Sequence, residues 1–430
     1  MSKFLLIDYG ASRIKSALYN DVNQLPAGLF ESVGSFLKFG NSTKIESSFF
    51  SDSLILHLDY YSNKIKELNV DDNLKIYICS EMHGFSLIPN NSTIENFYYS
   101  WRFHHVNTNS ALEVLDKNNF LKNTSMTLRA GLPVVNVLAE YLSNTLNENC
   151  SFLTLPQLIC NDLGEQYNHV CKTLLHSSGF YSNLGETENS SLITGYDLSI
   201  TFPKVLDDYS QPIGLVNYQN NEYNMYFGFG DLQAAFIGSD INDNQILINI
   251  GTGSQIISNS SNQSSFGLEE RPFFNNQKLK CVTHIPAGRF LDSWCKFYNN
   301  LNKTNNFWTE LSILNLNDFK NELIHIDFDS FLETQSSSFI KIDRLISENS
   351  GITNKNILAS LVKSFADQYL GYLRNAVHED VEIVLGGGVP SSIPVLEDLI
   401  SEGLTREVKI LKNNNDLTLK GLRAFLIKGF

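Results

Sequence analysis

Apolar residues along this chain gather in short runs that end at glycine, serine or an acid: FLLID (4–8), KIYICS (75–80), ILINI (246–250) and VEIVL (381–385). Runs of that length, closed by a turn residue, read as buried strands. Longer stretches between them carry the helical period. In ILASLVKSFADQYLGYLRNAV (357–377), Leu358, Leu361, Val362, Phe365, Tyr369, Leu373 and Val377 fall on one face. Strands mixed with long helices predict an α/β fold. Twice a strand meets a small-residue turn and a return strand: FLLID, YGAS, RIKSALY near the start, and ILINI, GTGS, QIISNS in the second half. Two such turns suggest two similar domains. The polar stretch NYQNNEYN sets their division near residue 222, giving domains 1–222 and 223–430, and SNSSNQSS (258–265) reads as an exposed loop.

Composition narrows the function. The 430 residues suffice for two or three domains, and 42% apolar content supports sizeable cores. Lys and Arg number 32 against 46 Asp and Glu, a net charge of −14. That balance argues against a general nucleic-acid or anionic-membrane binder, but leaves room for a small phosphorylated ligand. The apolar run of the N-terminus is too short for a signal peptide and ends in Asp8. No window reaches the roughly 18 apolar residues of a membrane span. The six cysteines show no CxxC pair, so neither a zinc site nor a disulfide framework is expected, and a cytoplasmic protein is. Sequons at Asn41, Asn91 and Asn259 are those that chance gives in an Asn-rich chain.

Five stretches carry candidate chemistry. In DYGAS, Gly10 permits a tight hairpin whose N–H groups, with Ser12, can face phosphate oxygens, and Asp8 at a strand end can organise Mg²⁺; an ordinary polar hairpin is the other reading. Gly251, Thr252, Gly253 and Ser254 make a second turn suited to a phosphate clamp. The strand VEIVL ends in three glycines, a flat surface on which a planar ring can lie. No GxGxxG and no GxxxxGK[ST] motif occurs. Asp231 opens the helix-like run DLQAAFIGS, as an N-cap, as a general base, or as both. SEMHGFSL (80–87) places Met82 and His83 just after a strand, where His83 is either bonded to backbone or a donor to a sugar hydroxyl.

In order, DYGASRIK (8–15), MHG (82–84), GDLQAAFIG (230–238), GTGS (251–254) and GGGVPSS (386–392) resemble the FGGY carbohydrate kinases, nearest the sedoheptulokinase- and xylulokinase-like members. LTLPQLICNDLGE (153–165), ERPFFNNQKLKCVTHIPAGRFLDSW (270–294) and NDLTLKGLRAFL (415–426) extend the likeness over most of the chain. The resemblance implies an actin-like ATPase architecture, two RNase H-like domains closing on a cleft, with sugar bound mainly by the first and MgATP by the second. It implies Asp231 as catalytic base and Asp8 as organiser of magnesium and phosphate. Gly10, Ser12 and Gly251 to Ser254 would surround the ATP phosphates, Gly387 and Gly388 would support adenosine, and Met82, His83 and Trp101 would line the sugar pocket. Dimers are frequent among such proteins.

The sequence also departs from that pattern. Ala11 stands where the family has Thr, Leu232 where it has Asn, and Glu81 where it has Gln. The family's W-x-D-x-R becomes WRFHH (101–105), with Phe103 and His105 in place of Asp and Arg. A lost hydroxyl acceptor changes which sugar is preferred. The function expected is phosphoryl transfer from MgATP to a ketose of pentulose or heptulose type. The alternatives are a kinase of an unusual polyol or sugar derivative, a non-catalytic nucleotide-binding actin-like relative, and another actin-like ATPase.

Overall fold

The computed structural model describes residues 3–40, 42–67, 74–90, 96–145, 149–181, 196, 200–206, 208–259, 269–320, 324–327, 341–345, 353–374, 381–411 and 416–429. Asn41, Asn91, residues 260–265 of the expected loop and 375–377 of the expected long helix lie outside them. The chain divides into two compact units. The first comprises Met1–Gly238, Glu269–Leu279 and Thr418–Phe430; the second comprises Ser239–Leu268 and Lys280–Leu417. Glu222 lies in the strand Asn221–Gly230, which pairs within the first unit's main sheet.

That sheet runs Gly28–Val33, Arg13–Tyr19, Lys3–Tyr9, Leu74–Ser80, Asn221–Gly230, Pro212–Tyr218, Gly164–Gln166. The first three strands form an antiparallel meander, and Lys3–Tyr9, Leu74–Ser80 and Asn221–Gly230 are parallel. Parallel strands need covered faces, which is why Leu5, Leu6 and Ile7 form an unbroken apolar run with no exposure at all. The helix Ser48–Glu67 makes the first crossover. A second apolar cluster, around Phe85, Phe120, Leu138, Phe152 and Phe180, fills a lobe inserted between the later strands.

The second unit repeats this order. Its sheet contains, in sequence across the sheet, Lys278–Ile285, Ser254–Asn259, Gln245–Ile250, Glu382–Gly386 and Val408–Ile410. Gln245–Ile250 pairs antiparallel with Ser254–Asn259 and parallel with Glu382–Gly386, which pairs parallel with Val408–Ile410. Asn354–Leu373 and Val395–Leu404 are helices packed in its core. An antiparallel pair continued by parallel strands, in the same spatial order twice, is the duplicated RNase H-like arrangement of actin-type ATPases. Among the described residues no helix is long and apolar enough to cross a membrane.

Candidate active site

Three acids gather at the carboxyl edge of the first sheet. Asp8 sits at the end of Lys3–Tyr9, paired in register with Cys79; Ser80, next to Glu81, is paired with Gly230, next to Asp231. Parallel strands in register bring their ends to one edge, so residues more than 200 positions apart become neighbours. Burial, then the charges of Asp8 and Glu81, push the Asp231 carboxyl up to about 7 from its ordinary 3.8. The Leu232 N–H donates to Asp231 Oδ1 at 2.9 Å, the local bond of a helix-opening acid, and opposes that rise. The same crowding, after burial, raises the Cys79 thiol.

Glu81 is raised by burial and pulled back by Arg102. Its Oε1 accepts the Trp101 N–H at 3.1 Å, so the acid holds the backbone that presents Trp101. Arg102 is buried, donates to the carbonyls of Gly40 and Ser42, and lies 5.0 Å from the Phe36 ring centroid. Asn136 brackets the WRFHH segment: it donates to the Phe103 carbonyl at 2.9 Å and accepts from the His105 N–H at 3.0 Å. The Phe103 ring packs 4.7 Å from that of Tyr99.

Met82 packs against Gly230, where any Cβ would collide with its side chain. His83 is buried, and both ring nitrogens are used within the protein. Nδ1–H donates to the Ser177 carbonyl at 2.7 Å, which leaves Nε2 to accept from Arg129 at 3.0 Å. Arg129 in turn pairs with Glu269 at 2.9 Å, and Glu269 with the buried Arg271 at 2.7 Å. A direct donation from His83 to a sugar hydroxyl therefore gives way to an arrangement in which His83 orients Arg129.

The glycine turns of the second unit meet at the carboxyl edge of its own parallel strands. Gly288 and Arg289 N–H donate to the carbonyls of Gly251 and Thr252, at 3.0 and 3.1 Å. Gly387 takes φ of +91° and backs onto the Ile250 carbonyl, a position only glycine accepts without strain. A Cβ on Gly253 or Gly388 would meet nothing within 4 Å. The sequence thus supplies glycine for close packing at 288 and 387 and for open backbone at 253 and 388. In the first unit, the Ala11 and Ser12 carbonyls of the DYGAS turn accept N–H groups of Phe36 and Gly34.

Comparison with protein-family models and with curated proteins finds no match. Solved structures do match. Xylulose kinase from Lactobacillus acidophilus, solved with a ligand, has a TM-score of 0.74 at 13% identity, over 100% of this chain and 90% of that one. Gluconate kinase from the same organism gives 0.73 at 12%, over 100% and 89%. Plasmodium falciparum glycerol kinase, solved with ADP, gives 0.70 at 11%, over 100% and 90%. The chain has the carbohydrate-kinase fold.

Within this kinase fold, Asp8, Met82, His83, Trp101 and Asp231 belong to the first unit, while Gly251 to Ser254, Gly387 and Gly388 come together in the second. Gly10 and Ser12 lie in the turn after Asp8. Arg129, Glu269 and Asn136 fall in no motif of the sequence. A lone arginine before a proline-started helix, in LRAGLP, and the pair of acids before Arg271 were the only local hints.

Among the described residues no three His, Cys, Asp or Glu side chains converge to hold a metal ion by themselves. The donors at the strand edge are carboxylate oxygens, which suit Mg²⁺. That ion usually takes one or two carboxylates and completes its shell with water and substrate phosphates, so the residues fit it in company with a nucleotide.

Proposed function

We propose that this protein is an ATP-dependent sugar kinase that transfers the γ-phosphoryl group of MgATP to a hydroxyl of a ketose of the pentulose or heptulose type. The observation that carries the reading is Asp231: a carboxylate at the start of a helix, beside two other acids, with its pKa moved to about 7. A general base works best when its pKa lies near the operating pH. Asp231 would accept the hydroxyl proton as the sugar oxygen bonds to phosphorus and the bond to ADP breaks. Asp8 would hold Mg²⁺, which neutralises phosphate charge when bound. Gly10, Ser12 and the Gly251–Ser254 turn would offer N–H and hydroxyl donors to the phosphates, and Gly387 and Gly388 would face adenosine. Positioning and electrostatics account for most phosphoryl-transfer catalysis.

Met82, Trp101 and Arg129, the last oriented by His83, would contact the sugar. All six cysteines are free thiols, as in a protein of the reducing cytoplasm. A second reading, a kinase of a polyol or sugar derivative, draws support from Phe103, whose ring packs tilted against Tyr99 where a hydroxyl acceptor would alter the choice of substrate. A coupled ADP-release assay over a panel of ketoses, polyols and sugar derivatives tests both. Asp231→Asn is expected to remove sugar-dependent turnover by about 10²–10⁴-fold, with ATP affinity within a few-fold of wild type by calorimetry. ATP hydrolysis indifferent to every sugar would refute a kinase, and an equal loss of ATP affinity would refute the base.

A further inference from the structure

We infer that Thr418, at the start of the helix Leu417–Lys428, is a positioning residue for Asp8, its hydroxyl holding the carboxylate in the orientation that receives the nucleotide's divalent cation. The inference rests on the reading of Asp8 given above. Thr418 Oγ1 donates to Asp8 Oδ2 at 2.5 Å. The two residues are 410 positions apart, so this is not the local capping bond that Asp side chains make with their own turn. Asp8 stands among like charges, close enough to Asp231 to raise its pKa. The Cys79 thiol also bonds to Asp8, and the Thr418 hydroxyl adds a partner from the far end of the sequence that fixes which way the carboxylate faces.

The helix that carries Thr418 is pinned to the first unit along its length. Gly421 lies against the Ala234 backbone so closely that no Cβ fits. Arg423 Nε donates to the Val22 carbonyl at 2.7 Å. Phe425 closes an aromatic cluster with Phe229, Phe274 and Tyr209, at centroid distances of 5.0, 4.8 and 5.5 Å. Ala234 and Phe229 flank Asp231 in sequence. One helix thus docks on the segment that carries the base while its first turn reaches the other acid. Docking alone needs apolar contact; a hydroxyl aimed at a carboxylate adds orientation. Mg²⁺ demands near-ideal geometry, and partners that orient a metal-binding side chain are worth about 10–100-fold in metal affinity.

The test compares Thr418→Val, which keeps the shape without the hydroxyl, with Thr418→Ser, which keeps the hydroxyl. Binding of Mn²⁺ in the presence of ADP is read from the spin-resonance signal of free Mn²⁺, alongside the Mg²⁺ concentration for half-maximal turnover and the melting temperature. Thr418→Val is expected to weaken Mn²⁺ binding by about tenfold and to raise the Mg²⁺ requirement in step, with the sugar KM unchanged. Thr418→Ser should restore both. Wild-type Mn²⁺ affinity in a Thr418→Val protein that merely melts earlier would reduce Thr418 to a packing residue and overturn the assignment; so would a wild-type protein that binds no Mn²⁺ with ADP. Absence of sugar-dependent ADP release in the wild type, with Mn²⁺ binding still sensitive to the hydroxyl, would instead count against the kinase reading alone.

Discussion

Asp231 meets opposing demands from folding and from the role of base proposed for it. Its folded-state pKa of about 7 lies above the ordinary 3.8, so the protonated form is the one that folding favours. The stability this contributes is full below about pH 4 and is lost as pH rises through 7. Asp231→Asn should therefore melt above wild type at pH 8, with the gain vanishing near pH 4, while abolishing turnover; a scan of melting temperature against pH checks it. Activity runs the other way, since a base must be ionised, so kcat/KM should climb with pH around 7. Glu81→Gln removes one of the charges that raise Asp231 and should move that limb to lower pH. The places of Asp8, Asp231, Met82 and the glycines at strand ends and turns were readable because each sits in a short local pattern. Arg129, Asn136 and Thr418 were not, because each matters through a partner distant in the chain and none interrupts a periodic run.

Among elements, the buried strands were the most legible: FLLID, KIYICS and ILINI lie within the strands Lys3–Tyr9, Leu74–Ser80 and Gln245–Ile250, and all of VEIVL but Val381 lies in Glu382–Gly386. Buried strands carry continuous apolar runs, and that signal needs no tertiary information. NYQNNEYN misled by its polarity. Its residues Gln219 and Asn220 take φ of 48° and 66°, the left-handed pair of a two-residue hairpin turn joining Pro212–Tyr218 to Asn221–Gly230. A tight turn and a linker share the same composition, and only strand pairing separates them. The glycine turns of the second unit can be told apart by substitution. Gly387→Ala, forced at φ +91° against the Ile250 carbonyl, should cost about 1–3 kcal/mol in denaturant unfolding. Gly253→Ala, with open space around its Cβ, should keep that stability, and any loss of nucleotide affinity by calorimetry would then report on the phosphate turn.

For the molecule as a whole, the duplicated topology was foreshadowed by two similar turns, but the assignment of chain segments to units was not. The first unit draws on three separate stretches, the last being Thr418–Phe430. Nothing in the local pattern of LTLKGLRAFL tells that it packs beside strands made 400 residues earlier; that is decided by the fit of Gly421 on Ala234 and of Phe425 among aromatic rings. A chain ending at residue 416 is expected to leave Phe229 and Phe274 uncovered, to bind a hydrophobic dye, and to unfold at lower denaturant than the full chain. Domains generally mature on the ribosome from the amino end onward, yet here the earlier-made unit receives its final helix only after the later one has been translated. A nascent chain stalled before residue 418 would carry Asp8 and Asp231 without the helix that bonds to the first and packs on Ala234 and Phe229 either side of the second, and its apolar rings would be open to chaperones for as long as synthesis of the second unit lasts.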